Sequence, residues 1–375
     1  MTVSYMKNLA FIILATFIFS TGIVLAEENN IQAQKKLHLG AIVPLTGPLA
    51  FFGNDFIKAF ELAKEDYPEI NQLIEIEWED SAYDTKQAVS AFNKLVSVKQ
   101  TDVVLSFGGP MLHALAPLAE QRKIPFFATE SEKSDCQGRP FCSLFRNEED
   151  EWGQATWQIL RKSGKKKIGI VKNQNQFMNT FVNAIVNNKK EDETVNILLD
   201  VPPEIVDLRT DVLSLRSKEV DALGVYLLPG SHHGLLSALR NNNQTFPMIF
   251  GVEEFLVKEN NKGFESIVNN ALVIAPSSTE EYREKFQSRF GYSAGFYYTP
   301  AFYDFLVLLK DVIRSNKNLR GSDLVKAMRF DGKRTGVSGS YSVKVSKDGV
   351  YSYSFPIAVY RVNDNNVSVD EIINF

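Results

Sequence analysis

From Leu37 onward the chain alternates short apolar runs with amphipathic stretches of helical period, and it does so in two successive series. The first series predicts strands at Leu37–Pro44, Leu73–Trp78, Val103–Phe107 and Pro125–Ala128. Helices are expected between them at Phe51–Tyr67, Thr85–Val96 and Pro110–Gln121; the first places Phe52, Phe56, Ala59, Phe60 and Ala63 on one face. Val103–Phe107 is apolar throughout, as in a strand covered on both sides. Such a βαβαβαβ order specifies a parallel sheet wrapped by helices.

A loop with Cys136 and Cys142 interrupts, and a helix at Glu149–Lys162 leads into the second series. Its strands are expected at Lys167–Val171, Val195–Val201, Ala222–Leu227 and Met248–Phe250, with a further strand at Ala271–Ala275. Helices follow at Thr279–Phe290, Pro300–Ser315 and Ser322–Arg329. The stretch Gly336–Val362 alternates around Asp348-Gly349, a hairpin signal. The fold class is therefore α/β, as two Rossmann-like lobes with a cleft between them. The expected division is 37–152 plus 275–335 for the first lobe and 153–274 plus 336–375 for the second. Three crossovers are expected near 150–158, 270–276 and 333–340.

The first 26 residues read as a cleaved export signal. Lys7 is their only charge, Leu9–Phe19 is apolar, and Val24-Leu25-Ala26 offers small residues to signal peptidase ahead of Glu27-Glu28. No cysteine stands near that site to carry a lipid, so the expected location is the periplasm. There, Cys136 and Cys142 are expected to form a local disulfide contributing about 2–3 kcal/mol. The net charge of −4 argues against a nucleic-acid partner, which requires clustered Lys and Arg.

Particular residues carry a resemblance. Gly40-Ala41-Ile42-Val43-Pro44-Leu45-Thr46-Gly47-Pro48-Leu49-Ala50, followed by Gly53, resembles the opening of type I periplasmic solute-binding proteins of the branched-chain amino-acid and amide ABC-transporter family, leucine-binding-protein-like. Trp78-Glu79-Asp80, Lys123-Ile124-Pro125-Phe126-Phe127, Phe145-Arg146, Lys166–Val171 and Ser338–Gly349 keep the order and spacing of that family over roughly 37–365. The resemblance implies a non-enzymatic, monomeric binder of a small amino-acid or amide ligand that closes by lobe motion and delivers to a cognate ABC permease in the inner membrane. It implies no cofactor.

The turn Thr46-Gly47-Pro48 is expected to aim Phe52 at the cleft, because open α/β sheets bind ligands beyond the carboxyl ends of their strands. The resemblance implies anion contacts from the backbone N–H groups of Gly108 and Gly109, ahead of a helix start. It also implies hydrogen bonds from Thr129 and Ser131. Glu130 and Glu132 depart from the family pattern. Facing the cleft, they would repel a ligand carboxylate and favour a cationic, amide or neutral ligand; facing outward, they would be solvated surface charge. In the second lobe the resemblance points to Phe177 as an aromatic lid, Tyr226 near the turn contacts, Glu253 as partner of a ligand ammonium, and Tyr297 as a further aromatic wall.

Catalytic and metal signatures are missing. Adjacent His232-His233 cannot share one helical face, and no HExxH, GxSxG or Walker-type loop occurs. Two other functions remain open on the sequence: a ligand-sensing module serving a separate receptor or regulator, and an enzyme.

Overall fold

The computed structural model describes residues 35–130, 132–215, 218–292, 299–316, 318–363 and 366–375. The export-signal reading, and the site expectations at Ser131 and Tyr297, lie outside the described residues. Two sheets organise the chain, one in each lobe. The first lobe begins with β1 (Leu37–Val43), β2 (Ile74–Asp80), β3 (Val103–Ser106), β4 (Phe126–Ala128) and β5 (Cys142–Leu144). The second begins with β6 (Lys167–Asn173), β7 (Thr194–Val201), β8 (Ala222–Tyr226), β9 (Ile249–Gly251) and β10 (Leu272–Pro276). Both sets are parallel and share one spatial order, β2-β1-β3-β4-β5 and β7-β6-β8-β9-β10. The order reverses beside β1 and β6, which opens a crevice at their carboxyl ends.

Burial follows position in the sheet. Central β3 and β8 are buried at every residue, whereas edge strand β7 is mostly exposed or half-exposed. The apolar runs are therefore the doubly covered strands, and the alternating ones are the edges.

The tail completes both sheets. β11 (Lys333–Gly336), β12 (Gly339–Val345) and β13 (Tyr351–Ser354) add to the first sheet, β13 lying parallel to β5. β14 (Ile357–Asn363) and β15 (Asn366–Ile373) add antiparallel to β10. This corrects the expected lobe division, which had placed 336–375 as a whole in the second lobe. The hairpin sits on the first sheet, and the last crossover falls at Phe355-Pro356 instead of 333–340. The other two fall at 145–148 and 277–279, between β5 and the helix Glu149–Lys162 and between β10 and the helix Glu280–Phe290.

The three crossovers are tied to one another. Asn147 Nδ2 donates to the carbonyl of Phe355 at 2.8 Å and to Glu151 Oε2 at 2.8 Å, and Ser277 N–H donates to the carbonyl of Pro356 at 3.1 Å. Buried Asp304 accepts from the amides of Val337 and Ser338 at 2.8 and 2.9 Å. Cys136 and Cys142 are disulfide-bonded, with Cα atoms 5.1 Å apart.

Candidate functional site

Local hydrogen bonding places the first-lobe side of the cleft. Asp80, at the end of β2, accepts from the amides of Leu45 and Thr46 at 2.7 and 3.2 Å, the Thr46 hydroxyl at 2.6 Å and the Ala82 amide at 2.7 Å. Burial pushes this carboxyl up, but the hydrogen bonds together outweigh it, the Thr46 hydroxyl foremost, and hold it below its ordinary value. The fixed turn delivers the helix Ala50–Asp66 with the ring of Phe52 5.0 Å from that of Phe107, and Phe56 5.1 Å edge-on to Phe107. On the second lobe, Asn175 caps the helix Gln176–Asn187 by accepting from the amides of Phe177 and Met178. That cap presents Phe177 to the cleft, 4.8 Å from Phe181.

The lobes enclose two adjoining chambers that share Glu130, Phe177 and Glu253. The inner chamber lies against the crossovers and holds about 690 Å³ of empty space, open solvent at its mouth included. Phe56, Phe107 and Phe302 of the first lobe face Phe177, Phe181 and Trp152 of the second, with Phe145 and Phe355 from the crossovers. The outer chamber runs toward the cleft mouth between Phe51, Phe52 and Tyr83 on one side and Asn175, Glu254 and Asn260 on the other. Apolar walls with a few polar groups are the usual make-up of small-molecule sites.

Three of the polar groups are ionisable and face the inner chamber. Arg146, only 9% exposed, reaches the inner chamber from the first crossover. Its guanidinium carbon stands 5.8 Å from the centres of both Phe177 and Phe181, and its Nε donates to the carbonyl of Asn147. Glu130 and Glu253 face the same space. Glu130 is raised to about 8, by burial first, with Arg146 opposing and the charge of Glu253 adding to the rise. Glu253 is also raised, mainly by burial, with Arg146 opposing. Both carboxyls keep some exposure, but only to a cleft walled by both lobes, where a charge is poorly solvated. The backbone N–H of Gly109, at the start of the helix Gly109–Arg122, also favours the charged form of Glu130, by less than Arg146 does. Trp152 Nε1 is buried beside Arg146 without a hydrogen-bond partner among the described residues.

A model of the family described as "Periplasmic binding protein" matches residues 36–366. The chain belongs to the periplasmic binding protein family. Curated relatives include a Leu/Ile/Val-binding protein homolog 8 of Brucella suis biovar 1, 24% identical over 223 residues, which are 54% of this chain and 55% of that protein. The chain thus spans about half the length of the curated relatives it matches. Three solved structures share the fold at a TM-score of 0.76 each. A leucine-binding protein from Thermotoga maritima is 18% identical and covers 90% of this chain and 99% of its own. A branched-chain amino-acid transporter substrate-binding protein from Streptococcus pneumoniae, in complex with isoleucine, is 15% identical and covers 91% and 100%. An ABC-transporter solute-binding protein from Rhodopseudomonas palustris, in complex with 3,4-dihydroxybenzoic acid, is 16% identical and covers 90% and 96%.

In this periplasmic binding protein the structure brings Phe52, Thr129, Glu130, Phe177 and Glu253 to the chambers. The Thr129 hydroxyl is turned to the carbonyl of Ser106 at 3.2 Å. Gly109 is at the lobe interface, where an added Cβ would stand 3.2 Å from the carbonyl of Glu130 and 4.0 Å from Phe177 Cβ. Gly108 adopts φ 118°, and a Cβ there would collide with Met111. The Gly109 amide, expected to face a ligand anion, stands near the carboxyl of Glu130, whose charged form it favours. Tyr226 does not line either chamber. It is 3% exposed and lies behind Phe181 at 6.2 Å. Glu132 also stays out of the chambers, accepting from the Thr180 hydroxyl at 2.7 Å. Arg146, Trp152 and Glu254 were missed as site residues, although Arg146 stands inside a quoted family motif.

Proposed function

We propose that this chain is the extracytoplasmic substrate-binding component of an ABC uptake system, closing its lobes around an amino-acid-like or amide-like solute and catalysing no reaction on it. One observation carries the ligand reading: the acidic pair Glu130 and Glu253 and the cation Arg146 face a single aromatic-walled space. A zwitterion satisfies both signs there. Its carboxylate takes the guanidinium and the Trp152 N–H, and its ammonium takes the carboxylates. An unpaired charge of either sign is costly in such a cleft, so each group gains from a ligand that matches it.

Ring-on-ring walls around Arg146 favour a second reading, an aromatic carboxylate with no ammonium. A binding panel separates the two. Amino acids, amides and benzoates are screened by thermal shift on the mature protein, since a ligand that binds the folded state raises Tm. Hits are then titrated by calorimetry against wild type and Glu253→Gln. The amino-acid reading expects Glu253→Gln to weaken binding by about 2–4 kcal/mol. Benzoates binding wild type and Glu253→Gln alike, with amino acids inert, would replace it by the second reading.

A further inference from the structure

The outer chamber holds a carboxylate that the zwitterion leaves unused. Glu254 lines it, is 9% exposed, and its Oε2 has no hydrogen-bond partner among the described residues. Glu253 and Glu254 stand in succession at the start of the 3-10 turn Glu253–Leu256, so they point in different directions from one backbone segment. Glu253 lines both chambers, while Glu254 lines the outer one alone. Across the chamber lie the rings of Phe52 and Tyr83, and Asn260 stands on the same wall as Glu254. Arg146, the cation that balances Glu130 and Glu253, belongs to the inner chamber and is not part of this wall. The charge on Glu254 is disfavoured first by burial and then by Glu253 and Glu130, and this carboxyl is pushed up to about 8. A buried carboxyl facing aromatic rings across a narrow chamber is an environment that takes an organic cation, by hydrogen bond and by ring contact together.

We infer that the outer chamber is a second, cation-accepting subsite, and that the preferred solute is an amino acid whose side chain ends in a basic nitrogen. The inference rests on the amino-acid reading above. The α-carboxylate lies toward Arg146, the α-ammonium sits between Glu130 and Glu253, and the aliphatic chain passes Phe177 into the outer chamber. The terminal ammonium or guanidinium meets Glu254. A ligand without that group leaves the Glu254 oxygen buried and unmatched.

L-lysine and L-norleucine have the same chain length and differ in the terminal amine, so the pair isolates the subsite. The full mature chain is titrated calorimetrically with L-lysine, L-arginine and L-norleucine, as wild type and as Glu254→Gln. We expect wild type to bind at least one basic amino acid about 10-fold or more tightly than norleucine. Glu254→Gln should erase that preference. Norleucine binding as tightly as both basic ligands would overturn the subsite and leave the amino-acid reading standing. A preference that survives in Glu254→Gln would overturn the role of Glu254. Failure of all three to bind, with a benzoate binding instead, would overturn both readings together.

Discussion

The backbone N–H of Gly109, in the first turn of the helix Gly109–Arg122, stands at the carboxyl group of Glu130 and favours its charged form. The helix terminus favours the charged form of that carboxyl, and so does Arg146, yet burial wins and Glu130 is raised to about 8. In the empty cleft at neutral pH the group mostly carries a proton. A ligand ammonium reverses the balance, because it favours the ionised form. Binding should therefore release protons at pH 7, and affinity should rise from pH 6 to about 8 and level off above. Calorimetry in buffers of different ionisation enthalpy measures the release directly. In Glu130→Gln the release should shrink to what Glu253 and Glu254 contribute. Unchanged proton release in that variant would remove Glu130 from the binding site.

The same raised carboxyls affect the unliganded protein in the opposite sense to most acidic groups. Glu130 and Glu254 titrate near 8 in the folded chain and, from an ordinary value of 4.5, much lower when unfolded. Between these values the folded state holds more protons, so their stabilising contribution is complete below about 4.5 and is lost as pH rises through 8. The charged and titratable groups facing them are Glu253, Arg146 and Tyr83. Unliganded protein should melt lower at pH 8.5 than at pH 6. The double variant Glu130→Gln, Glu254→Gln should narrow the gap, by about 1–2 °C for each kcal/mol recovered. Equal narrowing by a surface change such as Glu284→Gln would show that the effect is not the cleft's.

How much of this was legible in the sequence depends on whether the signal was local. The strand and helix alternation is local, and the two parallel sheets follow from it. Phe52, Phe177 and Glu253 stand at carboxyl ends of strands or just beyond, where topology alone directs them to the cleft. The hairpin around Asp348-Gly349 was visible too, but which sheet it joins depends on β13 pairing with β5, two hundred residues away in the chain. Arg146 lies in a crossover, where a charge ordinarily reads as solvated; in the fold it is buried against rings from both lobes. Tyr226 ends a strand as the pattern required, yet the rings of Phe181 and Phe250 cover it. Neighbours Glu253 and Glu254 could not be told apart without the turn that separates them.

Arg146 should be the least replaceable residue of the cleft. It is the cation that offsets Glu130, Glu149 and Glu253. Its planar group also lies near two rings, a contact that an ammonium does not reproduce. Arg146→Lys should weaken ligand binding by about 2–4 kcal/mol, and Arg146→Met by at least as much. Calorimetry with the ligand found in the panel decides this. Arg146→Lys within about 2-fold of wild type would reduce the guanidinium to a hinge support.

Closure itself can be tested at two contacts that bridge the lobes. Thr180, on the second-lobe helix Gln176–Asn187, donates to Glu132 Oε1 of the first lobe at 2.7 Å. Tyr83 of the first lobe makes a polar contact with Asn175, the residue that caps the same helix, at the outer chamber. Both contacts exist only while the lobes are together, so they add to the stability of the closed form and contribute nothing to the open one. Each is worth about 1 kcal/mol or less. Thr180→Val and Tyr83→Phe remove them with little change of shape. The double variant should shift the unliganded protein toward the open form, seen by small-angle scattering as a larger radius of gyration, while saturating ligand restores the wild-type profile. Affinity should fall about 3- to 10-fold, because ligand energy must then drive a closure that these contacts had assisted. A double variant with wild-type scattering in the absence of ligand and wild-type affinity would show that these contacts form across the cleft without contributing to its closing.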